Sequence, residues 1–287
     1  MKGIILAAGK GTRLYPMTKP VCKPLVPIYD KPLIYYPLST LMKAGIRDIM
    51  IIIPPGEEEA FHNLLGDGSQ IGIHIVYAVQ HVARGIADAF LIAKDFIGSD
   101  RVCLILGDNI FHQVGMTRIL NEASEESHDG AIVFGYKVSD PRPFGVVEFD
   151  QDGKVLSIEE KPKLPKSNYI IPGLYFYDNQ VIEIAENLKP SARGELEITD
   201  VNIEYMHRGQ LKVIPFERGL TWLDAGTADS VLEAATAVKS YQLSGYNIGC
   251  IEEIAWKKGF ITLDQVHAIG QSMKTTRYGQ YLLELSE

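Results

Sequence analysis

Cysteine is scarce in this 287-residue chain: Cys22, Cys103 and Cys250 are its three, and they lie far apart. No disulfide framework or zinc site follows from that spacing, and Cys103, inside an apolar run, reads as a small buried hydrophobe. The seven histidines form no His-x-x-x-His or similar ligand pair, so a bound metal would need oxygen ligands, for which magnesium is the natural candidate. Long apolar runs are missing as well. The longest, such as Ile49 to Pro55, are of strand length, well short of the roughly 18 residues of a membrane span. The opening Met1-Lys2-Gly3 enters a buried-strand pattern without the apolar stretch and cleavage site of a secretory leader, and the expectation is a cytoplasmic protein. Positive charge is in deficit. A formal charge of −8 argues against nucleic acid or an anionic membrane as partner, so any phosphate must be bound locally, by a few converging Lys, Arg and backbone amides. Linkers, low-complexity stretches and internal repeats are also lacking, and 46% hydrophobic residues suffice for a substantial core.

What is present is a β-α-β grammar. Apolar, β-branched runs at Gly3 to Ala8, Ile49 to Ile53, Ile73 to Val79 and Val102 to Leu106 predict strands buried on both faces, as in a parallel sheet. Apolar residues at three- and four-residue spacing predict helices near Leu33 to Ala44, Ile86 to Phe96 and Thr117 to Glu126. After Gly130 the strands Ala131 to Val138, Val146 to Phe149 and Val155 to Glu159 are separated by turn residues, including a hairpin turn at Asp150-Gln151-Asp152-Gly153, and read as antiparallel or mixed. Tyr175 to Tyr177 and Leu211 to Phe216 extend the sheet, with helices near Asn179 to Leu188 and Ile198 to Arg208. The expectation is an α/β fold with a doubly wound, mixed, mostly parallel sheet over residues 1–244. The change of grammar after Gly130 divides this body into residues 1–129 and 130–244. Residues 245–287 form an apolar helical tail, expected to pack on the body or on another subunit.

Chemistry-bearing residues collect at strand ends. The first βα junction, LAAGKGTRL at 6–14, is a Gly-rich turn whose backbone N–H groups can approach a phosphate or a base, while Lys10 and Arg13 supply charge. It is neither a Walker loop nor a full dinucleotide fingerprint, because the third glycine position is Leu14. Alone it serves equally as a tight turn. Pro20, Pro24, Pro27 and Pro32 predict a stiff, extended loop holding Lys23 near that junction, although an isolated lysine is more often simply solvated. Asp108 follows the apolar run VCLIL, at the end of the strand where open α/β sheets place their sites, and Asp224 ends another. Two carboxylates plus phosphate oxygens suit magnesium, and either aspartate alone could equally cap a helix. Glu160 and Lys161 are adjacent at a strand end, so reaching one ligand together would require an irregular backbone; the plain alternative is a surface ion pair.

LAAGKGTRLYPMT and KPLVPIYDKP together resemble the sugar-1-phosphate nucleotidylyltransferase family. LLGDGS, LGDNIF, FGVVEFD, EEKP, SARGELEITD and WLDAGT then follow in that family's order along nearly the whole chain. SARGELEITD, LLGDGS and the absence of length for an added β-helix domain look most like the short bacterial thymidylyltransferase branch. The resemblance implies nucleotidyl transfer from dTTP to glucose 1-phosphate, or from UTP to a sugar 1-phosphate, with magnesium on Asp108 and Asp224 and a homotetrameric assembly. It implies Arg13, Lys23 and Lys161 as catalytic cations, and Ala8, Gly9, Gly11, Thr12, Arg13 and Lys23 around the nucleotide, with Gln80 and Gly85 at the base. On the sugar-phosphate side it implies Asn109, Gly145, Glu160, Lys161, Ile171 and Arg193, with residues 1–129 mainly nucleotide-binding and 130–244 mainly sugar-phosphate-binding. Three positions depart from the pattern. Ala8 stands where glycine is common, Pro24 where a glutamine usually follows the lysine, and Asp88, in GIADAF, where another glutamine is common. The rival readings are a non-catalytic sugar-nucleotide sensor and, on fold alone, a nicotinamide-dependent oxidoreductase lacking its third glycine.

Overall fold

The computed structural model describes residues 1–287 apart from His128, Asp152, Glu217, Arg218 and Glu287. The chain opens with β1 (Lys2–Leu6), the short hairpin of β2 (Pro27–Ile28) and β3 (Lys31–Pro32), and α1 (Tyr35–Lys43). Then come β4 (Asp48–Ile53), α2 (Glu58–Leu65), β5 (His74–Val79), α3 (Asp88–Ile92), α4 (Lys94–Ile97) and β6 (Val102–Leu106). The middle runs through β7 (Asn109–His112), α5 (Met116–Glu126), β8 (Ala131–Lys137), β9 (Gly145–Phe149), β10 (Val155–Glu160), β11 (Tyr169–Ile170), β12 (Leu174–Tyr177), α6 (Gln180–Asn187), α7 (Ile198–His207) and β13 (Leu211–Pro215). It ends in β14 (Thr221–Asp224), α8 (Ala228–Leu243), α9 (Ile251–Lys257), α10 (Leu263–Ser272) and α11 (Arg277–Glu284).

One central sheet has the order β10-β9-β11-β8-β12-β6-β1-β4-β5, and β13 pairs parallel to β8 opposite β12. Its half built from β6, β1, β4 and β5 is parallel, and antiparallel pairing enters at β12. Successive residues of a strand point to opposite faces, and both faces are buried here. In β6, Val102 and Leu104 join one core with Ile4, Ile52 and Phe90, while Cys103 and Ile105 join the opposite core with Ile5, Ile51 and Phe61. That is the α/β, doubly wound arrangement expected from the sequence. From β1 the chain steps outward to β4 and β5, then returns to place β6 on the other side of β1, which makes the carboxyl ends of β1 and β6 the topological switch point.

Three local expectations change. The stretch 86–96 forms two short helices, α3 and α4, that share Ala93 as a cap. Around Lys23 the chain makes a turn of 3-10 helix, Lys23–Leu25, instead of an extended loop, because Pro24 has the fixed φ that a helix tolerates in its first turn. The predicted turn at 150–153 contains Asp152, outside the described residues, though β9 and β10 on either side pair antiparallel. The tail packs on the body: Ile251, Ala255, Val266 and Leu282 share one core with Leu38, Leu41 and Phe61. Among the described residues no helix is long and apolar enough to cross a membrane.

Candidate active site

A cleft of about 1050 Å³ opens over the switch point. The ends of β1 and β6 approach so closely there that a Cβ on Gly107 would lie 3.0 Å from the Cα of Ala7. After β1, Gly11 takes a left-handed φ of 60°, and a side chain on it would meet the Lys23 stem at 3.0 Å. This close contact, with the Thr18 hydroxyl donating to the Gly11 carbonyl at 2.6 Å, sets Lys23 beside the first loop. Ala8, Gly9 and Arg13 line the cleft; Gly11, Thr12 and the buried Lys23 are not among its lining residues.

The two aspartates are joined through backbone pairing. β7 and β14 form an antiparallel ribbon in which Asn109 faces Asp224, and the Ala225 N–H donates to the Asp108 carbonyl at 3.2 Å. Residues 116 positions apart in sequence are thereby brought to one end of one ribbon. Lys23, only 7% exposed, donates to Asp108 Oδ2 at 2.5 Å and has its Nζ 3.9 Å from Asp224 Oδ1. Among the described residues Asp224 Oδ1 is buried without a hydrogen-bond partner. Burial first and the Asp108 charge second raise the Asp224 pKa above its ordinary value, against the opposing pull of Lys23 and Arg13. Paired carboxylates with an unsatisfied buried oxygen are a donor set that fits a hard divalent cation. Among the described residues no group of three or more His, Cys, Asp or Glu is arranged to hold a metal ion, so its other ligands would be substrate oxygens and water. Gly226 keeps this corner open, since a Cβ there would lie 3.2 Å from Asp224 Oδ1 and 3.3 Å from Arg13 Nη2.

Asn109 lines the cleft, yet its amide is already engaged. It donates to Asp108 Oδ1 at 2.8 Å and accepts from the Trp222 indole at 2.7 Å and the Gly173 N–H at 3.2 Å. These bonds tie Asp108 to Trp222 and Gly173 through one side chain. Trp222, packed edge-on against Tyr136 and Phe144, is a cleft residue that the sequence reading did not single out, although the WLDAGT segment contains it.

The second half of the chain supplies the opposite wall. β10 ends at Glu160, and Lys161 takes a left-handed φ of 45°, rare and costly for a residue with a side chain. That irregularity puts both side chains on one side, with Lys161 Nζ 3.1 Å from Glu160 Oε1. The Thr199 hydroxyl donates to Glu160 Oε2, a contact absent from the sequence reading though Thr199 lies in SARGELEITD. Gly145 packs closely beside them, since a Cβ there would sit 3.0 Å from Thr199 Oγ1. Arg193 is held mainly by Glu197, at 2.8 Å to each oxygen, and also reaches Glu160 at 3.3 Å. Ile171 completes this wall, and Gln80 and Gly85 line the wall nearer β5.

A family model described as nucleotidyl transferase matches residues 2–240. Glucose-1-phosphate thymidylyltransferase of Neisseria gonorrhoeae is 55% identical over 286 residues, covering 99% of each chain. The Mycolicibacterium smegmatis protein of the same name is 54% identical over 286 residues, again 99% of each. Among solved structures, a Bacillus anthracis protein assigned as a glucose-1-phosphate thymidylyltransferase, in complex with a sucrose, superposes with a TM-score of 0.77 at 43% identity, over 83% of this chain and 95% of that one. A UDP-glucose pyrophosphorylase bound to UDP-glucose has a TM-score of 0.70 at 24% identity, over 83% of this chain and 98% of that one, a likeness of fold alone.

Proposed function

This chain belongs to the nucleotidyl transferase family, and from that premise we propose that it joins dTTP and glucose 1-phosphate into dTDP-glucose, releasing pyrophosphate. One observation carries the reading: Asp108 and Asp224 meet at the switch point, with the buried Lys23 bonded to Asp108, in a cleft that Arg13 and Lys161 enter from opposite halves of the chain. In the reaction an oxygen of the sugar phosphate attacks the α-phosphorus of the triphosphate. The new P–O bond forms as the bond to the β-phosphate's bridging oxygen breaks, and pyrophosphate leaves with that electron pair. The attacking phosphate is already ionised, so no general base is needed. Catalysis then reduces to positioning and charge neutralisation.

In this reading Arg13 and Lys23 serve the triphosphate, Lys161 holds the sugar phosphate, Glu160 accepts from sugar hydroxyls, and Gln80 faces the base. Nucleotidyl transferases generally depend on a divalent metal; here magnesium, held by Asp108 and Asp224, would neutralise phosphate oxygens. Residues 1–129 act mainly on the nucleotide and 130–244 mainly on the sugar phosphate, within a cytoplasmic homotetramer. Thymine and uracil share their hydrogen-bonding edge and differ by a methyl group worth about 1–3 kcal/mol, so UTP is a measurable second substrate. The test is pyrophosphate release from a panel of triphosphates and sugar 1-phosphates. Turnover is expected to be best with dTTP and glucose 1-phosphate; no turnover with any pair would favour the sensor reading.

A further inference from the structure

Asp88 is a carboxylate that the transfer reaction leaves without a role. It is 1% exposed, in the first turn of α3, and its two oxygens have different partners. Oδ1 accepts from Arg84 Nη2 at 2.6 Å, and Oδ2 accepts from Gln80 Nε2 at 2.9 Å. Gln80 is itself buried and lines the cleft. The segment is clamped in place: the Leu196 N–H donates to the Arg84 carbonyl at 2.6 Å and the Ala87 N–H to the Leu196 carbonyl at 3.2 Å. Gly85 lies so close that a Cβ on it would fall 2.4 Å from the Leu196 carbonyl oxygen.

The two ends of a glutamine amide are nearly equal in size and opposite in hydrogen bonding, so packing alone does not choose which way it points. A carboxylate only accepts. With Arg84 on its other oxygen, Asp88 can face only the NH2 end of Gln80, leaving the carbonyl oxygen and one N–H for a ligand. We infer that Asp88, held by Arg84, fixes the direction of the Gln80 amide and thereby selects uracil-type bases over cytosine. This rests on the proposed reading in which Gln80 faces the base. A uracil-type edge sets a carbonyl acceptor beside a ring N–H donor, and the amide as oriented answers both. Cytosine sets an amino donor beside a ring-nitrogen acceptor, and only the reversed amide answers that edge. Asp88 touches no substrate in this scheme; it is a positioning residue.

Asp88→Asn tests the inference. Arg84 retains the side-chain oxygen, so the new NH2 group faces Gln80, whose amide must turn over to accept it. The readout is the ratio of kcat/KM for dTTP to that for dCTP, with glucose 1-phosphate and the full chain; any loss of folded protein cancels in this ratio. A fall of at least about tenfold is expected, since buried polar groups left unpaired dominate such discrimination. Asp88→Ser, whose hydroxyl donates or accepts, should lower the ratio less, and it decides the matter if Asp88→Asn does not fold. A purely structural role for Asp88 lowers both activities together and leaves the ratio alone. If Asp88→Asn and Asp88→Ser leave it unchanged while Gln80→Ala collapses it, the inference is overturned and the base-pocket reading stands. If Gln80→Ala also leaves it unchanged, the base-pocket reading fails, and the inference with it.

Discussion

Replacing Asp224 with asparagine should separate stability from activity. Asp224 is disfavoured as a charged group in the free protein: its Oδ1 is buried without a hydrogen-bond partner among the described residues, and Asp108 adds like charge. Because its folded-state pKa is raised, the native protein keeps this proton to higher pH than the unfolded chain does. Stability therefore falls as pH climbs from the ordinary carboxyl value of 3.8 through the folded one, and the full cost is present at neutral pH. Asparagine of the same shape bears no such cost, and Lys23 keeps its 2.5 Å bond to Asp108. The gain should be about 1 kcal/mol, the lower end for removing a poorly compensated buried charge. In a chain of this size that is roughly 2 °C in Tm. Urea melts in EDTA at pH 7.5 should show the mutant more stable, and the difference should shrink as pH falls toward 3.8. Pyrophosphate release should drop at least about a hundredfold, the usual loss for one preorganised electrostatic group. A mutant that is less stable at pH 7.5 and keeps near-normal turnover would refute this reasoning and make Asp224 a structural residue.

Lys161→Gly should relieve the left-handed backbone by about 1 kcal/mol while removing the amine. Substrate titrations should then show a large rise in KM for glucose 1-phosphate and little change for dTTP; an unchanged sugar-phosphate KM would remove Lys161 from that role. Leu282→Ala in α11 should cost about 2–5 kcal/mol in a urea melt, as for any fully buried leucine, and should preserve a single transition, because the tail shares the main core. A separate early transition for the tail would contradict that packing.

The strands at the switch point were legible because β1, β4 and β6 are buried on both faces and so lose the alternation of half-exposed strands. The helices α2 and α8 were not. In α2 only Phe61 and Leu65 are buried apolar residues, and α8 packs through Val231, Ala234 and Val238, a stripe too weak to stand out in a sequence containing four alanines. Strand-end position marked Asp108, but its meeting with Asp224 depends on the β7–β14 ribbon, a contact no local pattern encodes. The same limit hid Trp222 and Thr199, which act through partners far along the chain. Adjacency of Glu160 and Lys161 correctly posed the need for an irregular backbone, and the φ of Lys161 is the answer. The pinning of Asn109 and the Asp88–Gln80 bond are side-chain choices settled only by tertiary packing.

The most direct measurement follows labelled phosphorus. With dTTP labelled at the α-phosphate, glucose 1-phosphate and magnesium, the label should pass into a sugar nucleotide as unlabelled pyrophosphate appears in equal amount. Omitting glucose 1-phosphate should stop both. Label retained in dTTP under every sugar phosphate tried, although both ligands bind, would contradict nucleotidyl transfer from dTTP.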